Sequence, residues 1–177
     1  MAGSLVGPDE QAQTLIDSLD LNPIKNKLLN PEHGAGWSLQ KVEDVEGQYR
    51  RFLFLNYKYP ERQIVPSKEV DDFWHCHILD TRKYANDCER IFGCFLHHFP
   101  YFGMRGEDDA RNLQEAFRET NGLLNQTFGQ SFGNSSTSHV ESAETVCSNC
   151  SGCSQCSSGP AAPNVAVERP RGLLGSL

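Results

Sequence analysis

The sequence has no uninterrupted apolar run near the ~18 residues that a membrane-crossing helix needs. It has no lysine or arginine cluster beyond Arg50–Arg51, and its net charge is −7. A basic surface that would attract phosphate backbones is therefore absent, and no nucleic-acid partner is expected. The opening MAGSLVGPDE lacks the basic start and long apolar stretch of a secretory leader. These absences point to a cytoplasmic protein with reduced thiols, working on a small-molecule or protein partner and not on a membrane.

Large apolar side chains become few past residue 128. The remainder, GQSFGNSSTSHVESAETVCSNCSGCSQCSSGPAAPNVAVERPRGLLGSL, cannot bury enough surface to offset its ordering entropy. Two parts are expected: a folded domain over residues 1–128 and a disordered Ser/Gly/Cys-rich tail over 129–177. The tail holds three Glu and two Arg, which leaves about −6 of the net −7 on the body.

The body reads as helices. Pro8 or Asp9 opens one that carries Leu15, Ile16 and Leu19, and Asn22-Pro23 opens a second that Asn30-Pro31 closes. Ser38 caps a long helix in which Val42, Val45, Tyr49, Phe52 and Asn56 step by three and four; Tyr59-Pro60 ends it. Ser67 caps a further helix, placed across residues 70–88, and Gly93 interrupts it before the short apolar run CFLHHFPYF. GMRG makes a turn, and Glu107, Asp108 and Asp109 then sit where a helix N-terminus favours negative charge. No alternation of strand type persists. The expected fold is an all-α, compact bundle of about five to six helices.

Against this ordinary pattern, four of the chain's six histidines fall within 24 residues, at His75, His77, His97 and His98. On a helix at about 100° per residue, Val70, Trp74, His77, Thr81, Tyr84, Ala85 and Cys88 share a core-facing stripe. His75 projects about 160° away from His77, one turn above Asp71. Two histidines at i and i+2 on a regular helix cannot chelate one ion, because helical zinc pairs stand at i and i+4. One is then a ligand while the other does structural work, or the helix is distorted. For His77 the plain alternative is a core imidazole bonded to Thr81, Tyr84 or a carbonyl. For His75 it is a surface pair with Asp71. His97 and His98, about 100° apart if helical, can send one ring inward and one outward. Asp71, His75, His77, His97 and His98 thus form the candidate metal set, suited to an open iron or zinc site.

These motifs carry a resemblance. The run VDDFWHCHILDTRKYANDC, with YPERQIVPSKEV before it and FGCFLHHFPYFGMRG after it, resembles the glycine-rich domain-containing protein-like family of bacteria, plants and fungi. The family pattern is matched by Pro66, Ser67, Val70, Asp71, Trp74, His75, His77, Ile78, Leu79, Tyr84, Cys88, Phe92, Gly93, Phe95, His97 and His98. The resemblance covers about residues 40–128 and implies that the histidine motifs are a family feature. Some plant members add a proposed RNA-binding segment; nothing in this chain matches one.

The tail has its own motif. Cys147, Cys150, Cys153 and Cys156 repeat every third residue in CSNCSGCSQC, an uncharged stretch. Thiolates so spaced suit zinc or copper(I). The pattern is similar to a bacterial ferredoxin run, but its last interval is too short and no proline follows Cys156. Disulfide formation, modification or a plain reduced tail are the alternatives. In the body, Cys88 reads as a small core residue. Cys76 points about 100° from each neighbouring histidine, a poor position for a thiol nucleophile.

Three readings remain, in this order. The first is a metal-binding helical domain, as in an iron or zinc enzyme, in which Asp80 or Tyr84 assists proton transfer. The second is a non-catalytic helical interaction module whose histidines are structural. The third is a scaffold that presents the cysteine tail for soft-metal binding or modification.

Overall fold

A computed structural model describes residues 7–132. Six helices and no strand occur among the described residues: α1 (Pro8–Asp17), α2 (Asn22–Leu29), α3 (Leu39–Lys58), α4 (Lys68–Leu79), α5 (Thr81–Phe92) and α6 (Glu107–Phe128). The fold is all-α. The expected tail, with Cys147, Cys150, Cys153 and Cys156, lies outside the described residues from position 133 onward. Gly129 ends α6, and Phe132 still packs into the core beside Phe117, at 6.2 Å between rings, so burial continues past residue 128.

The helix limits follow local chemistry. Pro8 and Pro23 lie in the first turns of α1 and α2, where a missing N–H costs nothing. The Ser38 hydroxyl accepts from the Lys41 N–H at 3.2 Å, and the Ser67 hydroxyl accepts from the Val70 N–H at 3.3 Å. Gly93 ends α5 with φ of 66°, a left-handed conformation that glycine adopts without steric cost.

α3 is the central element and packs against α1, α2, α4 and α6. Phe52, Leu53, Phe54, Leu55 and Asn56 are all buried, so this end of α3 is covered on every side. Arg50 on α3 donates to the carbonyls of Ile16 and Leu19 at the end of α1. Glu46, one turn earlier, holds Arg50 at 2.6 Å and Lys25 of α2 at 2.8 Å. Two helices are thus fastened to α3 through backbone groups and charge.

One expectation fails here. Residues 70–88 are two helices, broken at Asp80, whose ψ of 68° stops α4; α5 starts at Thr81. Beyond the break the buried face changes. Thr81 and Ala85 are exposed, whereas Tyr84, Asp87, Cys88 and Ile91 are buried. The corner lets α5 pack against both α4 and α1, which a straight helix could not do. It also brings Asp87 back under His77.

Candidate metal centre

α4 presents different chemistry on its two faces. Inward, His77 is 1% exposed and hydrogen-bonded on both ring nitrogens. Nδ1 lies 2.8 Å from the Tyr49 hydroxyl, and Nε2 lies 3.1 Å from Asp87 Oδ2. Burial pushes the Tyr49 phenol well up, so the phenol donates to Nδ1, and the Nε2–H donates to the Asp87 carboxylate. Lys83 Nζ meets the same carboxylate oxygen at 2.6 Å. Burial lowers the pKa of His77 despite the opposing pull of Asp87, so the ring is held neutral. Tyr49 and Asp87 fill the roles that the sequence suggested for Thr81, Tyr84 or a carbonyl. Asp87 stands ten positions from His77 and becomes its partner only because the chain turns at Asp80.

Outward, Asp71 lies one turn before His75. The His75 Nδ1 is 2.7 Å from the Asp71 carbonyl and 3.3 Å from the Asp71 carboxylate. The second carboxylate oxygen meets His98 Nε2 at 2.9 Å, from the loop beyond α5. The two imidazole rings stand 4.5 Å apart. Ligand atoms of Asp71, His75 and His98 all lie within 4.8 Å of one another. Burial opposes ionisation of Asp71, but the contacts to His75 and His98 outweigh it and hold its pKa at about 2. The hydrogen bond to Asp71 raises the pKa of His75 against the effect of burial.

Of the five residues in the candidate metal set, the fold gathers three and places two elsewhere. His77 faces the core. His97 is exposed and rests against Phe95 at 4.9 Å between rings. The segment around His97 and His98 is irregular, so the 100° separation that a helix would give does not apply. Along it, Phe95, His97 and Phe99 are exposed while Leu96 and His98 are half-buried, the two-residue alternation of an extended chain. That alternation turns His98 toward Asp71 and His97 toward solvent.

The residues considered for proton transfer stand apart from this group. The Tyr84 hydroxyl accepts from the Trp74 indole at 2.9 Å and donates to the Leu96 carbonyl at 2.5 Å, and burial drives its pKa far up. Asp80 is exposed at the corner between α4 and α5. Cys76 is half-buried, and burial pushes its thiol up, away from the thiolate form.

Comparison with known proteins places the chain in a family. The chain belongs to the UCP032817-like family, whose pattern it matches over residues 11–124. It is similar to glycine-rich domain-containing protein 1 of Arabidopsis thaliana, at 24% identity over 158 residues. That alignment takes in 75% of this chain and 19% of the plant protein. It is also similar to glycine-rich domain-containing protein 2 of the same plant, at 28% identity over 95 residues, covering 51% of this chain and 12% of that protein. The chain therefore spans less than a fifth of the length of these relatives. No solved structure matches it. Among the described residues no helix is long and apolar enough to cross a membrane.

Proposed function

We propose that this helical domain binds a divalent metal ion, iron or zinc, through Asp71, His75 and His98. The observation that carries the reading is the convergence of two imidazoles and one carboxylate from two separate elements. His75 and Asp71 come from one helical turn, and His98 arrives 27 residues after Asp71 on the loop beyond α5. Two histidines and one carboxylate with open positions is the donor set of non-haem iron(II) oxygenases, and zinc accepts the same donors. The His75 side chain is 47% exposed, which leaves room beside it for water or a small ligand. A metal-dependent reaction at those positions is the finer form of this proposal.

The interaction-module reading draws on the same distances. Both Asp71 oxygens already face imidazoles, and among the described residues every buried side-chain polar atom has a partner. The three groups satisfy one another without an ion. Elemental analysis separates the two readings. The full chain is prepared with Cys147, Cys150, Cys153 and Cys156 changed to Ser, so that bound metal reports on the body. About one equivalent of iron(II) or zinc is expected after loading and desalting, falling to background in His75→Ala/His98→Ala. Equal, negligible metal in both, with the helical signal intact, would select the interaction module.

A further inference from the structure

His98 is the one member of the candidate centre that does not sit on a helix. Its backbone lies in the irregular stretch after Gly93, where no ladder of helical bonds fixes it. Something else must hold the ring opposite Asp71. Phe95 packs on the Tyr84 ring at 5.1 Å and the Cys88 thiol meets the Leu96 backbone, and two further contacts to the body run through one hydroxyl. The Leu96 carbonyl, two residues before His98, accepts from the Tyr84 hydroxyl at 2.5 Å. The Trp74 ring, one residue from His75, lies 4.6 Å from the His98 ring and forms the surface against which it rests. The Trp74 indole N–H donates to that same Tyr84 hydroxyl at 2.9 Å.

One buried hydroxyl therefore holds these two supports of His98. Tyr84 is 1% exposed and Trp74 is 6% exposed, so neither bond is exchanged readily for water. The far end of the loop is fastened independently. The Asp109 carboxylate accepts from the Gly103 N–H at 2.6 Å and pairs with Arg105 at 2.7 Å.

We propose that Tyr84 is the positioning residue of this centre: its hydroxyl, joined at once to the Leu96 carbonyl and the Trp74 indole, fixes where His98 stands relative to Asp71 and His75. The inference rests on the metal reading for its functional meaning, but the placement of His98 can be read without a metal. Tyr84 itself touches no ligand position. It acts through the loop and through Trp74, as outer partners of metal ligands do.

The test uses Tyr84→Phe, which keeps the ring and removes the hydroxyl, in the full chain with the four tail cysteines changed to Ser. Cobalt(II) alone is the probe, and its absorption bands report coordination. Tyr84→Phe is expected to weaken cobalt binding about ten-fold or more and to alter the bands. Trp74→Phe, which removes the indole N–H and part of the ring surface but leaves the Tyr84–Leu96 bond, is expected to have a smaller effect in the same direction. Leu124→Ala on α6 serves as a control, losing stability while keeping wild-type cobalt affinity. The ring-nitrogen resonances of His98 in the metal-free chain give a second readout and should shift in Tyr84→Phe. Wild-type cobalt affinity and unchanged His98 resonances in Tyr84→Phe would overturn the inference. If the parent chain takes up no cobalt, the metal reading fails, and the His98 resonances alone decide whether Tyr84 positions that ring.

Discussion

His75 and His77 are two residues apart on one helix, yet their surroundings push them in opposite directions. His77 sits between Tyr49 and Asp87 with both nitrogens engaged, and burial favours its neutral form. His75 stands at the surface with Asp71 beneath it, and that hydrogen bond favours its charged form. The inner face of α4 is a satisfied polar seam in an apolar core. The outer face carries two of the three candidate ligands, Asp71 and His75, and His98 is the third. Residue type alone does not distinguish a structural histidine from a candidate ligand; the neighbours delivered by other elements do.

Breaking the inner face should have the largest effect on folding. His77→Ala removes one ring from two partners and leaves a buried phenol and a buried carboxylate facing a void. Loss of one member of such a network costs about 3–5 kcal/mol, read as a lower denaturant midpoint. Tyr49→Phe deletes a single bond and keeps the packing against Phe52 and Phe73, so its cost should be about 1 kcal/mol. His75→Ala, at the exposed position, should change stability by less than about 1 kcal/mol. A reversal of this order would show that α4 carries its structural histidine on the other face.

The pH dependence sharpens the same contrast. The native pKa of His77 is depressed, so between that value and the ordinary histidine value the unfolded chain binds more protons. The contribution of His77 to stability is therefore present above the ordinary pKa and is lost as pH falls. His75 has a raised pKa and the opposite sign. Its smaller contribution, screened by solvent, is present below the ordinary value and is lost as pH rises through the native one. Denaturation at pH 7.5 and pH 5.5 should show His77→Gln flattening the acid loss of stability. His75→Gln should leave that loss in place.

Much of the scaffold was legible in the residues. The caps at Ser38 and Ser67, the stop at Gly93 and the stripe from Val42 to Asn56 are local signals with local causes. The separation of His75 from His77 was legible too, because it needs only helical angles. The corner at Asp80 was not. The periodicity of Trp74, His77, Thr81, Tyr84 and Cys88 runs across it, so Thr81 reads as part of one continuous core-facing stripe although it is exposed at the start of α5. With the corner unseen, Asp87 could not be named as the partner of His77. Selecting His98 over His97 required the course of the irregular chain after Gly93, where the Tyr84 hydroxyl bonds the Leu96 carbonyl across the loop. Long-range contacts of this kind leave no periodic trace.

On the proposed reading, the outer face of α4 binds metal while the inner face holds the fold. The most direct check is zinc titration of the full chain with its tail cysteines changed to Ser, followed through the imidazole ring-nitrogen resonances. His75 and His98 should move together and saturate at about one equivalent, as ligands of one site do, while His77 stays fixed. Movement of His77 with zinc, or no movement of His75 and His98, would contradict it.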